Sequence, residues 1–191
     1  MYVRRGEGDK MNGKTLKLCV TAMGIALFVA LSVCLKVPVF ENYYLCLGYL
    51  VMEVYCYSFG ALYGTAVGTL GVVLYCLVIS GLRGMPGWAL GNVVIGIVLG
   101  LTFGKTRNMS RHVAARVIEI AAIVLSAAAG ILGVKSLTES VLYLQPFLVR
   151  AAKNSYAFIA DAVVLIIGLP FAVLMDGKIR KKERKEGIKQ I

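Results

Sequence analysis

Two stretches of this chain, residues 54–82 and 84–104, carry no charged side chain, and only Arg83 separates them. A helix crosses the hydrocarbon of a bilayer with about 20 predominantly apolar residues, so each stretch is long enough to span. The rest of the chain matches: 59% of its residues are apolar and its mean hydropathy is +0.78, outside the range of water-soluble domains. Apolar spans are expected at residues 16–36, 43–59, 60–80, 88–104, 112–134 and 151–176. The expected fold is an all-α integral membrane protein, a compact six-helix transmembrane bundle.

Flanking segments complete the organisation. Residues 1–15 read as an N-terminal arm, 16–176 as the membrane domain and 177–191 as a basic tail. The polar start followed by a full-length apolar run argues against a cleavable signal peptide and for a permanent span. The segment KSLTESVLYLQPFLVR, residues 135–150, is too polar to cross and contains Pro146, so it is expected to lie along the interface. The uncharged YSFGALYG marks a tight turn between the second and third spans. Cys19, Cys34, Cys46, Cys56 and Cys76 are scattered without a C-x-x-C pair and read as small apolar side chains.

Lys and Arg set orientation, because basic loops stay on the cytoplasmic side. Five of them lie between Arg4 and Lys17, four between Lys105 and Arg116, and seven in the tail from Lys178, all on one face of a six-span topology. The other face keeps only Lys36, Arg83, Lys135, Arg150 and Lys153. Both termini are therefore expected in the cytoplasm, and the net charge of +11 reports topology rather than nucleic-acid binding. The stretch GLRGMPGW, residues 81–88, then faces outward. Irregular Gly-rich backbone at membrane depth must lie in water, in a cavity or against a ligand.

Candidate site residues follow from polar groups on apolar helices. Trp88, Asn92, Gly96 and Gly100 recur every four residues and share one helix face. Trp88 is either an interfacial anchor or a binding plate; Asn92 hydrogen-bonds either a ligand or another helix. Asn154 and Asp161 share a face of the last span, with Lys153 and Tyr156 at its outer end. A carboxylate at the depth of Asp161 persists only if paired, protonated or functional. Glu53 raises the same question in the short second span, whereas Glu119 has Arg116 three residues away as a partner. Gly60, Gly64 and Gly68 at four-residue spacing indicate close helix packing. Ala22, Ala26 and Ala30 form a smooth ridge on the first span.

This combination of length, six spans, an A-x-x-x-A ridge in the first helix and a Gly-rich outer loop before the fourth resembles the substrate-binding S component of an energy-coupling factor (ECF) vitamin transporter. The resemblance covers nearly the whole chain. It implies a bacterial plasma-membrane protein that captures a vitamin from outside. It also implies a transmembrane coupling subunit docked on Ala22 and Ala26, with Ala30 an extension, and two ATPase subunits that drive inward delivery by whole-body tilting. Residues 37–44 and 81–88 would be lids over the pocket.

The pocket candidates are Arg83, Trp88, Asn92, Lys153, Asn154, Asp161 and Tyr44, with Tyr43 and Tyr156 as further walls. Outer cations exceed the nearby acids Glu41 and Glu139, so an anionic vitamin, pantothenate first and folate or riboflavin next, is expected. No cofactor, metal or nucleic acid is expected. His112 is the only histidine and no G-x-x-x-x-G-K-[ST] loop occurs, so neither catalysis nor ATP hydrolysis is expected of this chain. The competing readings are a structural or assembly membrane protein, or a carrier without ATPase partners.

Overall fold

The computed structural model describes residues 13–34, 37–40, 43–81, 84–109 and 112–186. Helix α1 (Gly13–Cys34) leads into a two-stranded antiparallel hairpin, β1 (Val37–Phe40) with β2 (Tyr43–Leu45), in register Val37 to Leu45. Helix α2 (Gly48–Phe59) and helix α3 (Ala61–Tyr75) follow, α3 running on through a π-helical turn, Cys76–Ser80. Next come α4 (Met85–Thr106), α5 (His112–Ala127), a π-helical stretch (Ala128–Lys135), α6 (Ser136–Tyr143) and α7 (Phe147–Glu186).

The chain thus makes a bundle of six helical passes, α5, the π stretch and α6 acting as one. Five of the passes are long and apolar enough to cross a membrane: Thr15–Cys34, Ala61–Ile79, Met85–Thr106, Val113–Tyr143 and Phe147–Lys182. The exception is α2, whose 12 residues rise only about 18 Å. An even number of passes puts the start of α1 and the end of α7 at one end of the bundle.

Two expectations need correction. The segment 135–150 is not a separate piece: α6 continues the helix of the fifth span to Tyr143 and α7 begins at Phe147. The polar residues of α6 are tolerated because Ser136 and Glu139 are buried against the bundle rather than turned to lipid. The second span, expected from residue 43, begins at Gly48, since residues 43–45 pair with β1 instead.

Local chemistry explains the breaks. Gly60, with φ +91°, makes the sharp α2–α3 turn without a Cβ clash. Pro86 sits in the first turn of α4, where a missing N–H is harmless. Leu144 adopts the left-handed conformation at the end of α6, and Pro146 precedes α7.

Packing is closest between α3 and α4. A Cβ at Gly96 would overlap the backbone of Thr65, and one at Gly100 would overlap Ala61, so these glycines let the two helices touch backbone to backbone. Gly64 and Gly68 serve the same purpose against Cys56 and Met52 of α2. Phe28, Tyr49, Met52, Ile95, Leu99, Phe103 and Leu165 fill the centre. Leu62, Leu125 and Ile167 point outward as a lipid-facing surface does.

Candidate functional site

The end of the bundle opposite the start of α1 and the end of α7 gathers a connected set of buried polar groups. From α4, the Trp88 indole Nε1–H donates to the hydroxyl of Tyr49 on α2, at 3.0 Å. That hydroxyl donates to Asn92 Oδ1 at 2.7 Å, and Asn92 Nδ2 donates to the Gly68 carbonyl of α3 at 2.9 Å. Asp161 of α7 faces the same Tyr49 hydroxyl and the backbone N–H of Cys46. The Tyr49 hydroxyl has one proton and two acceptors facing it, so one of them must take its hydrogen bond from elsewhere. The neighbouring Cys46 thiol is buried, which pushes its pKa up to about 12 and keeps it neutral.

Beside this cluster lies an open cavity of about 500 Å³ lined by Lys135, Glu139, Tyr143, Gln145, Arg150 and Asn154 together with Gly84. The size is that of a small-ligand pocket. Lys135 belongs to both, with its ammonium 5.9 Å from the Trp88 ring centroid and close enough to act on the Asp161 charge. Asn154 Nδ2 donates to Ser136 Oγ and to Glu139 Oε2, each at 3.0 Å. Arg150 stacks over Tyr143, 4.3 Å from the ring centroid, and stands 3.9 Å from Glu139 Oε2. Two buried atoms at this mouth, Gln145 Oε1 and Arg150 Nε, have no hydrogen-bond partner among the described residues. Such groups carry an unmet desolvation cost that a polar ligand can relieve.

Of the candidates named from sequence, Trp88, Asn92 and Asp161 meet around Tyr49, and Asn154 lines the adjoining cavity. Lys153 is exposed and not part of that lining. Tyr156 is also exposed. Arg83 lies outside the described residues, as does the side chain of Tyr44, whose backbone is in β2. The hairpin carrying Tyr44 packs against α7, over the helix that bears Asp161. Tyr49 and Lys135 were missed by the sequence reading. Tyr49 shares a helix face with Glu53 four residues on, a signal available in the sequence. Lys135 was set aside with the segment thought too polar to cross.

Elsewhere, Glu53 is fully buried against Gly168 of α7, with both carboxyl oxygens unpartnered among the described residues. Glu119 pairs with Arg116 and accepts from Thr106 Oγ1 at 2.6 Å, as an internal structural pair. Ala22, Ala26 and Ala30 are all exposed along α1. Among the described residues no three His, Cys, Asp or Glu side chains cluster as a metal site.

A family model described as "ECF-type riboflavin transporter, S component" matches residues 12–176. The chain belongs to this family. The S component is thus a multi-pass membrane subunit that captures a small vitamin-like molecule, a transport role without catalysis. Its fold is similar to a solved structure titled as the S component for biotin from an ECF-type ABC transporter. That match has 17% identity, a TM-score of 0.59, and coverage of 88% of this chain and 92% of the other. Comparison with curated proteins finds no match.

Proposed function

We propose that this S component captures a neutral, ring-bearing, hydroxyl-rich vitamin of the riboflavin kind in the outer cavity. It then delivers that vitamin inward by tilting on a coupling subunit driven by two ATPases. The observation that carries the ligand class is the charge balance of the site. Lys135 and Arg150 line the cavity with Glu139, and Asp161 of the adjoining Tyr49 cluster lies within reach of the Lys135 charge, so across cavity and cluster together the described charges balance rather than form a net positive clamp. That balance moves a neutral ligand ahead of the anionic one expected from outer-loop charge counts.

Ring and hydroxyls each have a counterpart. Trp88 is only partly buried and presents a broad plate near Lys135, suited to a flat heteroaromatic ring. Asn154, Glu139, Gln145 and the free acceptor of the Tyr49 cluster suit hydroxyl and imide hydrogens. The family description names riboflavin, which agrees with this reading. Pantothenate is the second reading, favoured by the unmatched Arg150 Nε and its loose 3.9 Å approach to Glu139; a carboxylate can close on that guanidinium.

Trp88 is the single tryptophan of the chain, so its fluorescence reports the site directly. The protein purified in mild detergent is expected to yield a co-purifying flavin by mass spectrometry, and added riboflavin is expected to quench Trp88 saturably. Release of pantothenate with no flavin quenching would assign the site to the acid instead. No saturable response to either would remove the cavity as the capture site.

A further inference from the structure

The end of the bundle that holds both chain termini has a second, separate recess. Because α2 has only 12 residues, its turn into α3 at Gly60 stops short of the level reached by α4 and α7, leaving a hollow beneath it. That hollow has a volume of about 140 Å³ and is lined by Ser58, Gly60, Gly104, Arg107, Asp176 and Arg180, among others. It shares no lining residue with the vitamin cavity.

The donors around it outnumber the acceptors. Arg180 donates from Nε to Asp176 at 2.9 and 2.8 Å to its two oxygens, which balances that carboxylate and, among the described residues, leaves the two terminal amines of the guanidinium without a hydrogen bond. Arg107 donates one N–H to the Tyr57 carbonyl at 3.3 Å, and no ion pair joins it to Asp176 among the described residues. Ser58 Oγ is buried without a hydrogen-bond partner among the described residues. Gly60 caps α3 without a side chain, so the first-turn amides of that helix are not capped by a side-chain oxygen. At Gly104 the space is open where a side chain would stand. Two guanidinium groups, one hydroxyl and a helix start around a small hollow suit a tetrahedral oxyanion.

We propose that this recess binds a phosphate oxyanion, either the headgroup phosphate of an anionic lipid or a free phosphate group. The site lies at the basic end of the bundle, between helix ends and beside a lipid-facing surface, where basic interhelical pockets hold acidic headgroups. Its two sources share one chemistry and differ in the hydrocarbon attached.

Calorimetric titration of the full-length protein in detergent at constant ionic strength tests this with three probes: inorganic phosphate, dioctanoyl phosphatidylglycerol and dioctanoyl phosphatidylcholine. Saturable binding of phosphate assigns a free oxyanion, and binding of phosphatidylglycerol without phosphate assigns a lipid headgroup. Arg107→Gln is expected to weaken the binding probe about tenfold. Vitamin binding at the other end should stay unchanged. Lys178→Gln with Lys181→Gln, two exposed cations outside the recess, is expected to leave the affinity intact. If Arg107→Gln does not fold, Ser58→Ala reads the same site through a roughly threefold loss. Absence of saturable binding, indifference to the recess variants, equal binding of the zwitterionic lipid, or an equal loss from the two lysines would overturn the proposal.

Discussion

Tyr49 has one hydroxyl proton and three polar neighbours, and that arithmetic governs the outer site. Its oxygen accepts from Trp88 while Asn92 and Asp161 face its single hydrogen. Tyr49→Phe would keep the ring but leave the Trp88 N–H and Asn92 Oδ1 without their partner in a buried setting. We expect a loss of about 1–3 kcal/mol of stability, read by unfolding in detergent, with weaker capture of the co-purifying vitamin. Intact stability and affinity would mean that water or another side chain completes the cluster. The sequence exposed Trp88, Asn92 and Asp161 because each is a polar or wide group on an apolar face, expensive against lipid. Tyr49 stayed hidden because its spacing from Glu53 marks a face but not what that face meets. Only the packing of α2 deep within the bundle reveals its hydroxyl as the hub.

Elements are legible in a membrane sequence when their polar groups obey helical spacing, and misleading when polarity is mistaken for exposure to water. The Trp88–Asn92–Gly96–Gly100 face was readable at four-residue intervals, and its glycines do meet a neighbouring helix, although the sequence could not say that the neighbour is α3. By contrast α6 looked interfacial because Lys135, Ser136, Glu139 and Ser140 were counted against the membrane. These residues line the cavity or bond within the chain, so their polar groups are met by protein. The ridge on α1 is a different case. Ala22, Ala26 and Ala30 bury against nothing in this chain, and small residues at this spacing let a partner helix approach closely. Ala22→Leu with Ala26→Leu is expected to leave vitamin binding by the isolated S component unchanged while cutting uptake by an assembled transporter at least tenfold. Lost binding with intact assembly would show that the ridge serves the fold instead of a partner.

At the scale of the whole molecule, two polar sites sit at opposite ends of one apolar body, and orientation decides what each can meet. The vitamin cavity opens at the end away from the termini, while the arginine recess and the basic tail share the other. Retention of Lys- and Arg-rich segments in the cytoplasm would turn the cavity toward the supply of vitamin and the recess toward the inner leaflet. The charge count that gives this orientation was visible in the sequence, because it depends on positions along the chain and not on packing. Cavity and recess were not, since the recess joins residues of α2, α4 and α7 and the cavity forms only when α6 folds back on α7 beside the start of α4. A protease-cleavable tag after Ile191 tests the orientation: it is expected to be cut in inside-out vesicles and protected in right-side-out ones, with the reverse for a tag placed at Leu144. The opposite pattern would open the cavity to the cytoplasm and end the capture reading, because a site that faces the cell interior at rest cannot collect a vitamin from outside.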